Sequence, residues 1–212
     1  MKLYYMPFSS YSQKVLVALY EKGVAFTPLL VPPWDPMARA DYLKVNPLGK
    51  VPTLVLDDGT VIPESTTIIE YLEDHIPTGT RLVPADKDRA RETRFLDRQL
   101  DLYFNETMQT IFFDGRKPPE ERSPSAVATA KRTLDILYPR YDERMATRTW
   151  MMGDDFTLAD CSAAPCFAYL RMVHPYAGYK HLTAYLSRLT ERPSFARVLE
   201  EAEPFLAKLK NG

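Results

Sequence analysis

From Lys87 onward the sequence carries no convincing strand pattern, so any sheet this chain builds must come from the residues before it. The stretch RETRFLDRQLDLYFNETMQTIFF sets Phe95, Leu96, Leu100, Tyr103, Phe104, Met108, Ile111 and Phe112 at steps of three, four or one. That spacing is helical. Prolines in RKPPEERSPS break the run, because proline has no N–H for the preceding turn. A second long helix is predicted from about Ser125 to Ala146, bent near Pro139. DDFTLADCSAAPCFAYLRMV, KHLTAYLSRLTE and PSFARVLEEAEPFLAKL supply three more.

Before Lys87 the patterns are mixed. KLYYM reads as a short strand, and SQKVLVALYEKG as a helix with Val15, Leu16, Ala18 and Leu19 on one stripe and Gly23 as its stop. VAFTPLLV reads as a second strand, which Pro28 assigns to an edge or a bulge. After an irregular helical stretch, TLVLDDGTVI is a hairpin closed by Asp57, Asp58 and Gly59. STTIIEYLEDHI follows as a helix with Ile68, Ile69 and Leu72 inward. The order β-α-β then β-β-α makes a small mixed sheet carrying helices. PTGTRLVPADKD, residues 77–88, has a linker's composition. The expected organisation is an α/β domain over residues 1–77 and an all-helical domain over 87–212.

The 212 residues are 45% hydrophobic and 26% charged, enough for a core without staples. A formal charge of −1 offers no long-range attraction for nucleic acid or an anionic membrane. No apolar run approaches the ~20 residues that span a bilayer, and the N-terminus lacks signal-peptide organisation, so a cytoplasmic location is expected. Cys161 and Cys166 do not share a helical face and match no redox or zinc spacing. His75, His174 and His181 are scattered, so no metal is expected.

Four segments carry chemical information. YYMPFSSYSQKVLVAL crowds Tyr5, Ser9, Ser10 and Ser12 between the first strand and the first helix. NPLGKVPTL combines a Pro47–Gly49 turn with Pro52 at a strand entrance, where a cis Val51–Pro52 bond is expected to leave the Val51 main chain free to pair with an extended peptide. In PESTTIIEYL, Glu64 and Ser65 open a helix whose unpaired N–H groups favour an anion; alternatively Ser65 is a plain cap and Glu64 a surface residue. FTLADCSAAP resembles a capping box of Thr157 and Asp160, a folding signal rather than a catalytic one.

Together, in this order and spacing, these segments resemble the cytosolic glutathione S-transferase family, over nearly the whole chain from Lys2 to about Leu206. The resemblance implies a thioredoxin-like N-terminal domain, an all-helical C-terminal domain, a homodimer, and glutathione as co-substrate. It implies that Val51, before Pro52, pairs with the cysteinyl part of glutathione, and that Ser65 takes the γ-glutamyl carboxylate while Glu64 faces the amine. Lys50 sits where the family often places a polar or basic group near the glycyl carboxylate. A pocket for a small hydrophobic electrophile is implied at Pro7, Phe8 and Tyr11, with Tyr103 and Phe104 from the helical domain. Arg94, Asp97, Arg98 and Asp101 are candidates to border the site or the dimer partner.

The implied chemistry is thiolate formation. A thiol of pKa about 8.5 is only slightly ionised at neutral pH, and lowering it by ~2 units needs about 3 kcal/mol of preference for the anion. One charge-assisted hydrogen bond supplies roughly 1.5–3 kcal/mol. Tyr5 occupies the position of the catalytic tyrosine of alpha-, mu- and pi-like classes; Ser9 occupies that of the serine of theta-, delta- and zeta-like classes. Both alignments run without a gap to Val15. A helix N-terminus and the SSYS turn favour Ser9, with Ser10 and Tyr5 as alternatives and simple capping by Ser9 or Ser10 as the competing explanation. The implied activity is transfer of glutathione to an electrophilic carbon. Its rivals are a glutathione-dependent isomerase, dehalogenase or peroxidase, and a non-catalytic binding protein of the same fold.

Overall fold

The computed structural model describes residues 1–211, with side chains described through Ala207. The chain divides into two compact units: Met1–Val83 together with the stretch from Pro193, and Pro84–Arg192.

In the first unit the elements run β1 (Lys2–Tyr5), α1 (Ser10–Glu21), β2 (Thr27–Leu30), α2 (Pro36–Val45), β3 (Thr53–Val55), β4 (Val61–Pro63) and α3 (Ser65–His75). The sheet order is β2-β1-β3-β4, parallel between β1 and β2 and antiparallel elsewhere. β2 lies at an edge, where Pro28 withholds no needed ladder bond. The β3–β4 turn closes as the sequence predicts: the Leu56 N–H donates to the Thr60 carbonyl at 2.9 Å, and the Asp58 carboxylate accepts from the Thr60 N–H at 2.8 Å. Leu3, Val15, Leu16, Leu19, Leu54, Ile68, Ile69 and Leu72 form its core.

The boundaries differ from the expected 1–77 and 87–212. Past residue 77 the chain stays tied to the first unit: the Leu82 N–H donates to Glu73 Oε2 at 2.9 Å, and Thr80 N–H donates to the Glu21 carbonyl at 3.0 Å. Gly79, at φ +68°, passes so close to Glu21 that a Cβ there would lie 2.3 Å from its carbonyl oxygen. At the other end, the last helix, α9 (Pro193–Asn211), packs on α1 in the first unit. Ser194 Oγ donates to Glu21 Oε1 at 2.5 Å, and the Tyr20 hydroxyl donates to Glu201 Oε2 at 2.6 Å.

The second unit contains α4 (Lys87–Gln99), a π-helical turn (Leu100–Asn105), α5 (Glu106–Asp114), a short 3-10 turn (Pro119–Glu121), α6 (Pro124–Met145), α7 (Leu158–Val173) and α8 (Lys180–Glu191). The capping box is present: the Asp160 carboxylate accepts from the Thr157 N–H at 2.8 Å, and from the Met151 N–H and the Tyr185 hydroxyl at 2.8 and 2.6 Å. Burial pushes the Asp160 carboxyl up to about 6 against these donors.

Candidate functional site

The sheet register assembles the site. Tyr4 faces Thr53 across β1–β3, and Thr53 faces Pro63 across β3–β4. The end of β1, the start of β3 and the end of β4 therefore lie in one row. The segments leaving that row are the Ser9 turn, the Val51–Pro52 turn and the Glu64–Ser65 helix entrance.

Ser9 is the N-cap of α1, in extended backbone, and its Oγ accepts from the Ser12 N–H at 3.3 Å. Because that bond uses an oxygen lone pair, the hydroxyl proton stays available to donate. Ser12 is turned into the core, where its Oγ accepts from the Met6 N–H at 3.2 Å, and Gln13 Nε2 donates to the Pro7 carbonyl at 2.8 Å. These two bonds hold the turn between β1 and α1. Ser10 and Pro7 are buried; Phe8, Ser9 and Tyr11 are half-buried.

The Val51–Pro52 peptide is cis. Lys50, just before it, is exposed and its carbonyl is held from below by Asn46 Nδ2 at 3.0 Å and by the Tyr42 hydroxyl. Tyr42 and Asn46 also reach Thr53 Oγ1, at 2.7 and 3.1 Å, which fixes the loop against β3. Among the described residues no hydrogen bond engages the Val51 main chain. Gly49 sits at φ +62°, and a Cβ on it would lie 3.5 Å from an Arg39 guanidinium nitrogen, so α2 brings a second cation to this loop. Sequence reasoning missed Arg39: a single arginine on a weakly amphipathic helix carries no local signal.

Glu64 is the one described non-glycine residue with positive φ, at 67°. Such a conformation costs on the order of 1–3 kcal/mol and persists where the surroundings impose it, often at functional sites. Its side chain makes no capping bond, and buried Ser65, the first residue of α3, makes no side-chain hydrogen bond among the described residues. Among the described residues the Ser65 hydroxyl is thus unspent at the start of α3, which the plain-cap alternative does not explain. Lys14, buried on α1, donates from Nζ to Thr66 Oγ1 at 2.9 Å and ties α1 to this first turn.

The remaining predicted residues differ in exposure and partners. Tyr4 packs its ring on Tyr42, centroids 5.3 Å apart; strand alternation turns Tyr5 to the opposite face, into a separate pocket beside Tyr20, Arg197 and Glu201. Burial, and then the Glu201 charge, push the Tyr5 phenol up. Phe104, expected to line the electrophile pocket, is fully buried in the second unit's core, where it meets Tyr138, Tyr141 and Phe167 at 4.7–6.3 Å. Tyr103 is half exposed. Asp97 is buried and accepts from the Ser162 hydroxyl, a bond inside the second unit. Arg94 and Arg98 are exposed, and Asp101 is half-buried. Phe8 stacks on the half-exposed Trp34 at 6.2 Å, an aromatic pair one residue from Ser9. The described residues hold no group of three metal-ligating side chains and no helix long and apolar enough to cross a membrane.

A sheet of β2-β1-β3-β4 order followed by a helical unit, with a capping serine, a cis-proline loop and the start of α3 in one row, defines a thioredoxin-like class of fold. Residues 8–75 match the glutathione S-transferase N-terminal domain and residues 103–193 its C-terminal domain. Glutathione S-transferase GstA of Escherichia coli O157:H7 is 32% identical over 205 residues, 91% of this chain and 94% of that protein. The stringent starvation protein A homolog of Coxiella burnetii is 32% identical over 212 residues, 99% of this chain and 96% of that protein. A Methylobacillus flagellatus glutathione S-transferase solved with glutathione bound superposes with a TM-score of 0.84 at 27% identity, covering 93% of this chain and 98% of that one. The chain belongs to the glutathione S-transferase family.

Proposed function

We propose that this chain is a glutathione transferase of the serine-dependent kind, which holds glutathione as the thiolate for attack on a small hydrophobic electrophile. The observation that carries this reading is the Ser9 cap: its oxygen is engaged by the Ser12 N–H, which leaves its proton to donate to a sulfur anion at the start of α1. The thiol proton leaves to solvent, the sulfur–carbon bond forms, and the electrophile's leaving group departs with its electron pair. Ser10 and Tyr5 are weaker alternatives, since Ser10 is buried and Tyr5 lines another pocket. The free Val51 main chain would add glutathione as an extra strand, beside Pro52. Ser65 and the α3 N-terminus suit the γ-glutamyl carboxylate, and Glu64 the amine. Lys50, together with Arg39, suits the glycyl carboxylate. Phe8, Tyr11 and Trp34 supply an apolar surface for the electrophile, and Tyr103 is the remaining candidate from the helical unit. A cytoplasmic homodimer remains part of this reading, on family resemblance.

The second reading is a non-catalytic binding protein of the same fold, since the stringent starvation protein A homolog, similar over 99% of the chain, is not named a transferase. Retention on immobilised glutathione followed by assay with an aryl halide separates the two. The transferase reading expects retention and glutathione-dependent halide release; retention with no turnover of any electrophile class supports the binding protein, and no retention contradicts both.

A further inference from the structure

We infer that the pocket beside Tyr5 is a second ligand site, separate from the glutathione face, that takes a small aromatic carboxylate. It measures about 520 Å³ and lies wholly within the first unit, between α1, β2 and α9. That volume is in the range of small-molecule sites. Its walls include Tyr5, Tyr20, Phe26 and Pro28, with Arg197 and Glu201 at one side.

The hydrogen-bond inventory selects the ligand. Both Glu201 oxygens are occupied: Oε2 accepts from the Tyr20 hydroxyl at 2.6 Å, and Oε1 from Arg197 Nε at 2.9 Å. The Arg197 guanidinium is stacked 4.0 Å over the Tyr20 ring, which fixes its plane. Among the described residues its two terminal nitrogens and the Tyr5 hydroxyl have no partner. The pocket thus presents spare donors on an aromatic lining, and each oxygen of its one carboxylate already accepts a hydrogen bond. A flat apolar body with one anionic oxygen pair complements both features, with the carboxylate meeting the Arg197 fork. A cation gains less there, because Arg197 already pairs with Glu201 and lies over one face of the Tyr20 ring.

Calorimetric titration of the full chain with 2-naphthoate, in the presence of saturating glutathione, tests this. One site per chain is expected. Arg197→Leu should weaken it by at least about tenfold and Tyr5→Phe by about three- to tenfold, the scale of a charge-assisted and a neutral hydrogen bond. Ala25→Trp, which fills the pocket, should abolish it. On the unaltered protein, 2-naphthylmethanol, which lacks the charge, should bind at least about tenfold more weakly. The proposal is overturned if naphthoate gives no heat, is displaced by glutathione, binds no better than the alcohol, or binds the Arg197 and Ala25 variants as it binds the parent.

Discussion

Lys14 Nζ and Thr66 Oγ1, 52 residues apart in sequence, meet at 2.9 Å between the second turn of α1 and the first turn of α3. The lysine side chain is 1% exposed, so this bond is made away from water, where polar partners are costly to remove. It links the helix that carries Ser9 to the helix that begins with Ser65. Lys14→Met is therefore expected to weaken glutathione binding by about 3–10-fold, a loss of roughly one hydrogen bond's worth of positioning, and Lys14→Arg to recover part of it. Calorimetry with glutathione measures both.

Ser65 separates binding from capping. Since its hydroxyl makes no internal bond, Ser65→Ala should leave thermal stability nearly unchanged but weaken glutathione binding by about 1–3 kcal/mol. A stability loss with unchanged affinity would return Ser65 to the role of a cap.

Glu64 carries backbone strain at φ 67°. Glycine adopts this region freely and alanine does not, so Glu64→Gly should be more stable than Glu64→Ala by about 1 kcal/mol in urea denaturation. Both variants should lose affinity for the glutathione amine.

Asp160 gives a pH signature. Burial raises its folded-state pKa to about 6, above the ordinary carboxylate value, so the folded protein binds its proton more tightly than the unfolded chain does. The stabilisation that proton binding contributes is complete below pH ~4 and is lost as pH rises to ~6, on the order of 3 kcal/mol, opposite in sign to a salt-bridged aspartate. Denaturation midpoints of the parent and Asp160→Asn across pH 4–7 isolate this group from other carboxylates. The variant should be less stable throughout, since its NH2 replaces one of the two oxygens that accept from the Met151 and Thr157 N–H groups, and should lack this component of the slope.

Phe104 and Tyr103 should behave differently despite being neighbours. Phe104→Ala empties a core site and is expected to cost about 3–5 kcal/mol, whereas Tyr103→Ala should cost little. Chemical denaturation distinguishes them.

Much of this was legible in the sequence, for local reasons. The β3–β4 hairpin announces itself by two apolar runs joined through Asp57-Asp58-Gly59, and the α7 start by Thr157 and Asp160 three apart. What was not legible depends on non-local geometry. Which face Tyr5 takes is set by strand parity against a core formed by distant helices. Phe104 turns inward and Tyr103 outward at the π-helical turn, whose wider hydrogen-bond period shifts the helical register. Docking of α9 rests on Glu21–Ser194 and Tyr20–Glu201, pairs more than 170 residues apart. Arg39 reaches the Gly49 loop only once α2 has folded back beside it.

The most direct test of the account is the pH dependence of bound-thiol ionisation in Ser9→Ala, Ser10→Ala and Tyr5→Phe, followed by thiolate ultraviolet absorbance alongside turnover. Removing the Ser9 hydroxyl should raise the bound thiol's pKa and slow turnover ~10–1000-fold, the scale of one lost donor to an anion, while the other two variants keep the parent's pKa. A parent-like pKa and rate in Ser9→Ala, with the shift appearing in Tyr5→Phe or Ser10→Ala, would contradict it.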